Sequence, residues 1–224
     1  HALLPQLNLA GLGDIQVCIP RSAVVGTKVF DEFLESNELT ELAYSDTSEL
    51  EDDDIAETFI EARFPESIYE DLKTFVEQVE YPLAVRSSSL LEDSQHQPFA
   101  GVYETYMLSN NHPDPKLRLQ HLCDAIKLVY ASTFYQASKA YIAATPNRIE
   151  EEKMGVVIQE VAGLPHGDAF YPTFAGVARS RNFYPLGDAA PEDGVVAVAL
   201  GLGKAVVEGE KMFRFSPAHP RQQF

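Results

Sequence analysis

The chain has 224 residues and a formal net charge of −17, with 45% hydrophobic and 23% charged residues. This length suits one large domain or two small ones with a buried core. The acidic balance argues against an extended nucleic-acid surface, because phosphate neutralisation needs massed Lys and Arg. No stretch approaches the roughly 18 uninterrupted apolar residues of a membrane span, and no signal peptide is visible. A soluble protein with no nucleic-acid or membrane partner is therefore predicted.

The first half of the chain reads as short extended segments followed by helices. Residues 16–20 and 22–25 have the composition of short extended pieces. Three helices are predicted next, one from residue 27 or 28 to about 36 and two near residues 48–63 and 66–79. The many acidic residues of the second helix are interpreted as a solvated face. Residues 81–87 then switch to a strand pattern.

The second half begins with a strand and a long helix and continues with strands. Residues 102–108 alternate apolar and polar side chains, and a turn cluster at 110–115 opens a helix predicted over 116–144. Four strands are predicted after it, at residues 154–161, 173–180, 195–200 and 211–215. Helices mixed with strands, followed by strands alone, predict an α+β fold in two lobes.

Cysteine and histidine usage indicates the compartment and the metal chemistry. Cys18 and Cys123 are far apart in apolar surroundings, which predicts buried reduced thiols and favours a cytoplasmic protein. The six histidines show no metal-ligand spacing, so no metal-binding residue is predicted. Because the chain starts at His1 without a methionine and stops at Phe224 without an obvious terminal element, we expect a piece of a larger protein.

The most informative pattern follows the strand-like segment in the first half. Arg86 stands at its end, Ser87 and Ser88 follow, and the acids Glu92 and Asp93 come next. A guanidinium fork matches phosphate oxygens, so this turn suits phosphate binding. The alternatives are a structural ion pair for Arg86 and helix capping for the serines and acids. The acids also suit a magnesium ion.

Two other patterns stay open on the residues alone. Residues 201–204, Gly-Leu-Gly-Lys, satisfy neither a Walker A loop nor a dinucleotide fingerprint, and a tight turn is the favoured interpretation. Residues 156–161 suit either an ordinary core strand or a hinge whose backbone amides bind an adenine edge.

In their order along the chain, these motifs resemble the N-terminal nucleotide-binding domain of the phosphoenolpyruvate synthase and pyruvate phosphate dikinase family, an ATP-grasp fold. The family's Val-Arg-Ser-Ser, Glu-Asp, Phe-Ala-Gly and Glu-Thr runs are matched at residues 85–88, 92–93, 99–101 and 104–105. Its later Val-Val-Ile-Gln-Glu, Ala-Gly-Val, Arg-Asn and Gly-Leu-Gly runs are matched at residues 156–160, 175–177, 181–182 and 201–209. The set covers about residues 15–215.

The resemblance implies a first ATP-grasp lobe over residues 1–162 and a truncated second lobe over 163–224, with mixed sheets flanked by helices. It assigns Arg86 as the catalytic residue that binds the ATP phosphates. The other residues that the resemblance implies bind the nucleotide: Ser87, Ser88 and Gly101 would shape the pocket, Gln159, Glu160 and Val161 would lie along the adenine, and Glu104 would also be a nucleotide-binding residue.

In such enzymes ATP, with Mg²⁺, phosphorylates a histidine on a separate swivelling domain, which passes the phosphate to pyruvate or a relative. The implied activity is therefore that of a kinase with paired acceptors. The implied partners are the small-molecule substrate and the phosphohistidine and pyruvate-binding domains of the same full-length protein.

The chain departs from the family pattern in ways that keep two alternatives open. The glycine-rich opening with its phosphate-binding lysine is expected upstream of His1, and the strand with magnesium ligands is not seen before Phe224. Lys204 stands where the family carries a glutamate. This piece alone is therefore expected to be inactive. The alternatives are a degenerate homologue with a regulatory or interaction role, and a dikinase with a different acceptor.

Overall fold

The computed structural model describes residues 13, 15–41, 50–89, 91–92, 101–145, 148–185, 189–203, 205–206 and 212–223. The chain divides into two compact units, residues 1–161 and 162–224. This division lies one residue from the predicted lobe boundary. Among the described residues, no helix has both the length and the apolar character needed to cross a membrane.

The first unit contains helices α1 (Thr27–Ser36), α2 (Asp52–Glu61), α3 (Glu66–Gln78), α4 (Pro115–Ser132) and α5 (Gln136–Ala143). Its sheet contains strands β1 (Ser22–Val25), β2 (Leu83–Ser89), β3 (Thr105–Leu108) and β4 (Met154–Glu160). The strand order is β1-β4-β2-β3. Helices and strands in this arrangement confirm the predicted α+β class.

Aromatic side chains fill the core between the helices of this unit. Phe30 and Phe33 of α1, Phe59 of α2, Tyr130 of α4 and Phe134 are at most 1% exposed. The ring centroids of Phe30 and Tyr130 are 5.0 Å apart at 65°, an edge contact that aromatic quadrupoles favour. This cluster packs with the buried apolar side chains of β2 and β4 and so covers one face of the sheet.

Two buried cations of α4 hold the ends of the neighbouring helices. The Nζ of Lys127 donates to the carbonyl oxygen of Ile60 in the last turn of α2 at 2.8 Å. Nη1 of Arg118 donates to the carbonyl oxygen of Val79, directly after α3, at 2.8 Å. The last carbonyls of a helix lack partners and carry partial negative charge, so each cation stabilises a helix C-terminus.

The helix predicted over residues 116–144 is two helices. Tyr135 has an extended backbone, with ψ of 155°. The carbonyl oxygen of Ser132, which ends α4, accepts a hydrogen bond from Oγ of Ser138 at 2.6 Å. A hydroxyl that satisfies the orphan carbonyl lets the chain turn at low cost, and the apolar pattern runs on through the break.

The second unit consists mainly of strands. A hairpin pairs β5 (Leu164–His166) with β6 (Ala169–Tyr171). A four-stranded sheet has the order β10-β9-β8-β7. Its strands are β7 (Phe174–Arg179), β8 (Val195–Leu200), β9 (Phe213–Ser216) and β10 (His219–Gln223). The sequence analysis missed the hairpin, in a loop containing Gly and Pro, and it missed β10.

Strand direction differs from the expectation of mixed sheets. Every strand pairing within the described residues is antiparallel. Parallel neighbours need a long crossover connection, usually a helix. In the second unit, short loops join β5 to β6 and β9 to β10, and such connections favour antiparallel pairs.

Two expectations about the N-terminal region are wrong. The strand predicted at 16–20 is absent, because β4 ends at Glu160 beside the start of β1 and offers these residues no further edge. Cys18 is exposed, since it lies in this unpaired segment. Cys123 is buried as predicted, and burial raises the pKa of its thiol to about 12.

Candidate functional site

Arg86 lies on the face of the first sheet opposite the helices. The strand register places it beside Val157 of β4 and Thr105 of β3. We call this surface the Arg86 face. Residues at matching register positions share it: Ser22, Val24, Ala84, Arg86, Ser88, Thr105, Met107, Gly155, Val157 and Gln159. Its edge side chains Val24 and Met107 are 67% and 56% exposed, so this face is open to solvent there.

The guanidinium of Arg86 has an uncharged neighbour, the side-chain amide of Gln159. Nη1 of Arg86 lies 3.5 Å from Oε1 of Gln159. Nε2 of Gln159 in turn donates to Oγ of Ser22 at 3.3 Å. Within the described residues, no carboxylate forms an ion pair with Arg86. An exposed guanidinium fork held by a neutral amide can accept a phosphate group.

Ser88 also lies on the Arg86 face and is exposed. Its register partner is Gly155. A Cβ built on Gly155 would lie 3.0 Å from the carbonyl oxygen of Ser88, tighter than ordinary contacts. The glycine therefore permits the close approach of β2 and β4 at this point.

Ser87 points to the opposite side of the sheet. Its Oγ donates to Oε1 of Glu92 at 2.8 Å. The backbone N–H of Ser89 donates to Oε2 of the same carboxylate at 3.1 Å. The structure therefore does not bring Ser87 together with Arg86. Glu92 lies in a turn after β2 and accepts hydrogen bonds there, whereas the capping alternative expected the serines to cap a helix that begins with the two acids. Asp93 lies outside the described residues.

A buried tyrosine and a buried glutamate lie near this turn. Tyr103 is 6% exposed and Glu152 is 2% exposed. Burial raises the pKa of Tyr103, and the nearby charge of Glu152 raises it further. Sequence analysis identified neither residue. Tyr103 falls in an alternation that predicts a half-buried strand without singling out this side chain, and Glu152 falls in a run of acids, a context typical of surface positions.

Gly101 and Glu104 lie in the segment that leads into β3. Gly101 is exposed, with φ of +82°, a conformation that favours glycine. The backbone N–H of Glu104 donates to Oγ of Ser132 at 3.2 Å. Burial raises the pKa of Tyr106, whose side chain is on the helix side of the sheet, and the charge of Glu104 adds to this. Glu104 is therefore grouped with the helix side rather than with Arg86.

The backbone amides at the end of β4 already have partners. The N–H of Glu160 donates to the carbonyl oxygen of Arg21 at 2.8 Å. The N–H of Val161 donates to the carbonyl oxygen of Pro82 at 2.9 Å. The Glu160 carboxylate lies 3.9 Å from Nε of Arg21. An adenine at this edge would therefore need donors other than these two amides. Of the three residues expected along the adenine, Gln159 is the one whose side chain contacts Arg86.

The later motifs lie in the second unit. Residues 175–177 belong to β7, and Gly201 has φ of +75° in the tight turn that was predicted. Nη1 of Arg181 lies 3.5 Å from a carboxylate oxygen of Glu192. Lys204 lies outside the described residues. Among the residues that the structure describes, no three His, Cys, Asp or Glu side chains are grouped to hold a metal ion.

Comparison with known proteins decides the family. Residues 6–221 match the family described as "Pyruvate phosphate dikinase, AMP/ATP-binding domain". The chain belongs to this family. A curated relative, "Uncharacterized phosphotransferase YvkC" of Bacillus subtilis, is 29% identical over 206 residues, which are 91% of this chain. The chain spans 22% of the length of that relative.

Membership of the pyruvate phosphate dikinase AMP/ATP-binding family confirms the resemblance drawn from the motifs. It supports a dikinase-like ATP-binding role for this chain. Of the predicted site residues, the structure brings Arg86, Ser88 and Gln159 together on one sheet face. The same face also carries Ser22, Val24 and Met107. The sequence did not identify them as neighbours of Arg86, because it does not show which strands pair.

Proposed function

We propose that this chain is the ATP-binding part of a phosphoenolpyruvate synthase-like or pyruvate phosphate dikinase-like phosphotransferase, with an ATP-grasp fold. The observation that carries this proposal is Arg86, an exposed guanidinium on an open sheet face and without an ion-pair partner among the described residues. Membership of an AMP/ATP-binding family supports ATP as the nucleotide that binds there. Such a guanidinium can bind an ATP phosphate bidentately, and Ser88 on the same face can add a hydroxyl.

The apolar side chains of the Arg86 face suit the rest of the nucleotide. Val157 stands beside Arg86, and Val24 is the partner of Val157 on β1. We propose that the adenine and ribose lie along this part of the face, near Gln159. The positive charge of Arg86 would then stabilise the charge that develops on the transferred phosphoryl group.

Mg²⁺ is expected with ATP, but the described residues do not fit a magnesium site by themselves. The carboxylate of Glu92 already accepts hydrogen bonds from Ser87 and Ser89. Glu104 is grouped with the helix side. We therefore assign no step of the reaction to a metal ligand in the described part of the chain.

The acceptor is proposed from the family alone. A histidine on a separate domain of the full-length protein would receive the phosphoryl group and pass it to pyruvate. The greater length of the relative supports the presence of further domains. A cytoplasmic location fits the free thiols of Cys18 and Cys123.

Titration calorimetry of the full-length protein with ATP and magnesium tests the proposal. Arg86→Ala should weaken ATP binding by about 1.5–3 kcal/mol, the range for a hydrogen bond to a charged group, while leaving the fold intact. Arg86→Lys should recover only part of the loss, because an ammonium group lacks the fork. Equal ATP affinity in wild type and Arg86→Ala would refute this role.

The degenerate-homologue alternative depends on one sequence feature. Lys204 reverses the charge of the glutamate that the family carries at this place. A regulatory or interaction module predicts no ATP binding by the wild-type full-length protein, so the same titration separates the two functions.

A further inference from the structure

The end of β2 places two hydroxyl side chains on the core face of the sheet. Leu83 and Val85 occupy this face at the start of the strand, and Ser87 and Ser89 continue it. Ser89 is only 3% exposed. Polar groups placed where water cannot reach must find a partner inside the protein.

Glu92 supplies that partner for both positions. Its carboxylate accepts from Oγ of Ser87 at 2.8 Å and from the backbone N–H of Ser89 at 3.1 Å. The Oγ of Ser89 accepts in return from the backbone N–H of Glu92 at 3.2 Å. Three hydrogen bonds therefore join Ser87 and Ser89 to Glu92 across the turn.

The surroundings make this turn sensitive to loss of the carboxylate. Ser89 pairs with Met154, whose side chain is fully buried. Tyr103 and Glu152 are buried nearby. Removing the acceptor would leave a half-buried hydroxyl and a backbone N–H without their partner, which the strand can relieve only by shifting.

A shift here acts directly on Arg86. Successive strand residues point to opposite faces, so inward Ser87 and Ser89 require outward Arg86 and Ser88. A slip of one residue would turn every side chain to the other face. Holding the serines inward therefore keeps the guanidinium on the Arg86 face.

We propose that Glu92 is a positioning residue for Arg86: its carboxylate fixes the turn after β2 and does not itself bind the metal ion or the nucleotide. This inference rests on the proposed function, in which Arg86 binds ATP phosphate. It predicts that the acceptor geometry of residue 92 matters and that its negative charge does not.

Two substitutions separate geometry from charge. Glu92→Ala removes both acceptors. Glu92→Gln keeps two contacts, because its amide oxygen can accept from the Ser89 N–H and its amide NH₂ can donate to Ser87, whose hydroxyl accepts as well as donates. Asn37→Ala is the matched control. The side chain of Asn37 makes four hydrogen bonds in the first unit, with Phe33, Ser36 and Arg63, and none of them involves β2.

The experiment measures ATP affinity by calorimetry and the melting temperature of the full-length protein for wild type and all variants. Glu92→Ala should weaken ATP binding about tenfold or more, equivalent to one hydrogen bond to a charged group. Glu92→Gln should stay within about threefold of wild type. Asn37→Ala should lower the melting temperature comparably to Glu92→Ala without changing ATP affinity. Hydrogen exchange at the Ser89 amide should accelerate in Glu92→Ala alone.

The outcomes that overturn the inference are distinct from failure of the proposed function. If Arg86→Ala weakens binding but Glu92→Ala does not, the positioning role is wrong and the proposed function stands. If Glu92→Gln is as weak as Glu92→Ala, the charge itself acts on the ion or nucleotide. If Asn37→Ala loses equal affinity, general destabilisation is the cause. Absence of ATP binding by wild type, or binding unaffected by Arg86→Ala, overturns both proposals.

Discussion

The two units of the chain bury their apolar side chains to very different extents. The hydrophobic core cluster of the described residues lies entirely in the first unit, where Phe30 is fully buried. In the second unit, Phe174, Leu200 and Phe213 are 64%, 87% and 62% exposed. Their register positions place them on one face of the β7–β9 sheet.

This difference shows which unit has the larger buried apolar core. Burial of apolar surface is the main source of stability, and a sheet with an exposed apolar face lacks most of it. The first unit has helices packed on one face of its sheet, which leaves the other face for Arg86. A binding residue on a packed scaffold is held in place by the scaffold. The comparison therefore predicts unequal responses to mutation.

The largest effect is expected in the core of the first unit. Phe33→Ala removes a fully buried ring that contacts Phe59 and Tyr130. It should lower the free energy of unfolding of this unit by about 3–5 kcal/mol. Amide hydrogen exchange of α1 and α4 measures this value. A loss below about 1 kcal/mol would mean that the aromatic cluster is not the centre of stability.

A smaller effect is expected at the buried cation Lys127. Its Nζ donates to the carbonyl oxygen of Ile60 at the end of α2. Lys127→Met should lower the unfolding free energy by about 1.5–3 kcal/mol, the range for a hydrogen bond to a charged group. Lys73→Met is the control, because Lys73 pairs with Glu70 on an exposed helix surface and its loss should be undetectable. Equal effects of the two substitutions in urea unfolding would contradict the capping role.

The smallest effect is expected on the exposed face of the second unit. Phe213→Ser should change the unfolding free energy by no more than about 0.5 kcal/mol, because its ring is 62% exposed. Hydrogen exchange of β8 and β9 provides the measurement. A loss close to that of Phe33→Ala would show that this face is covered in the protein in solution, and the contrast between the units would then disappear.

Local patterns were sufficient for most individual elements. Apolar spacing predicted α1 from residue 27 or 28 to about 36, in agreement with the observed helix, and it predicted β8 at residues 195–200. The same logic joined α4 and α5, because the hydrogen bond between Ser138 and the Ser132 carbonyl that permits the break is not visible as a pattern. It also predicted a strand at 16–20, where no partner edge exists. The predictions that failed were those of elements whose formation depends on contact with another segment of the chain.

For the candidate site as well, the sequence predicted the local motif but not the contacts between distant segments. The Val-Arg-Ser-Ser residues were recognised as a motif, although they lie within β2 and not in the predicted turn, and the family match confirms the resemblance on which the ATP assignment rests. The motif could not show that Ser87 and Ser88 point to opposite faces with different partners. Nor could it show that Gln159, 73 positions from Arg86 in the chain, meets the guanidinium.

The sequence by itself determined the α+β class, the family and the identity of the phosphate-binding candidate, because each is encoded in residues close together or in a fixed order. Only the tertiary structure decided which face Arg86 occupies and that Glu92 holds the turn beneath it. The physical reason is that strand register and hydrogen-bond partners are set by contacts between distant segments. A shift of the strand register by one residue moves every side chain of that strand to the opposite face of the sheet, although the local composition stays the same.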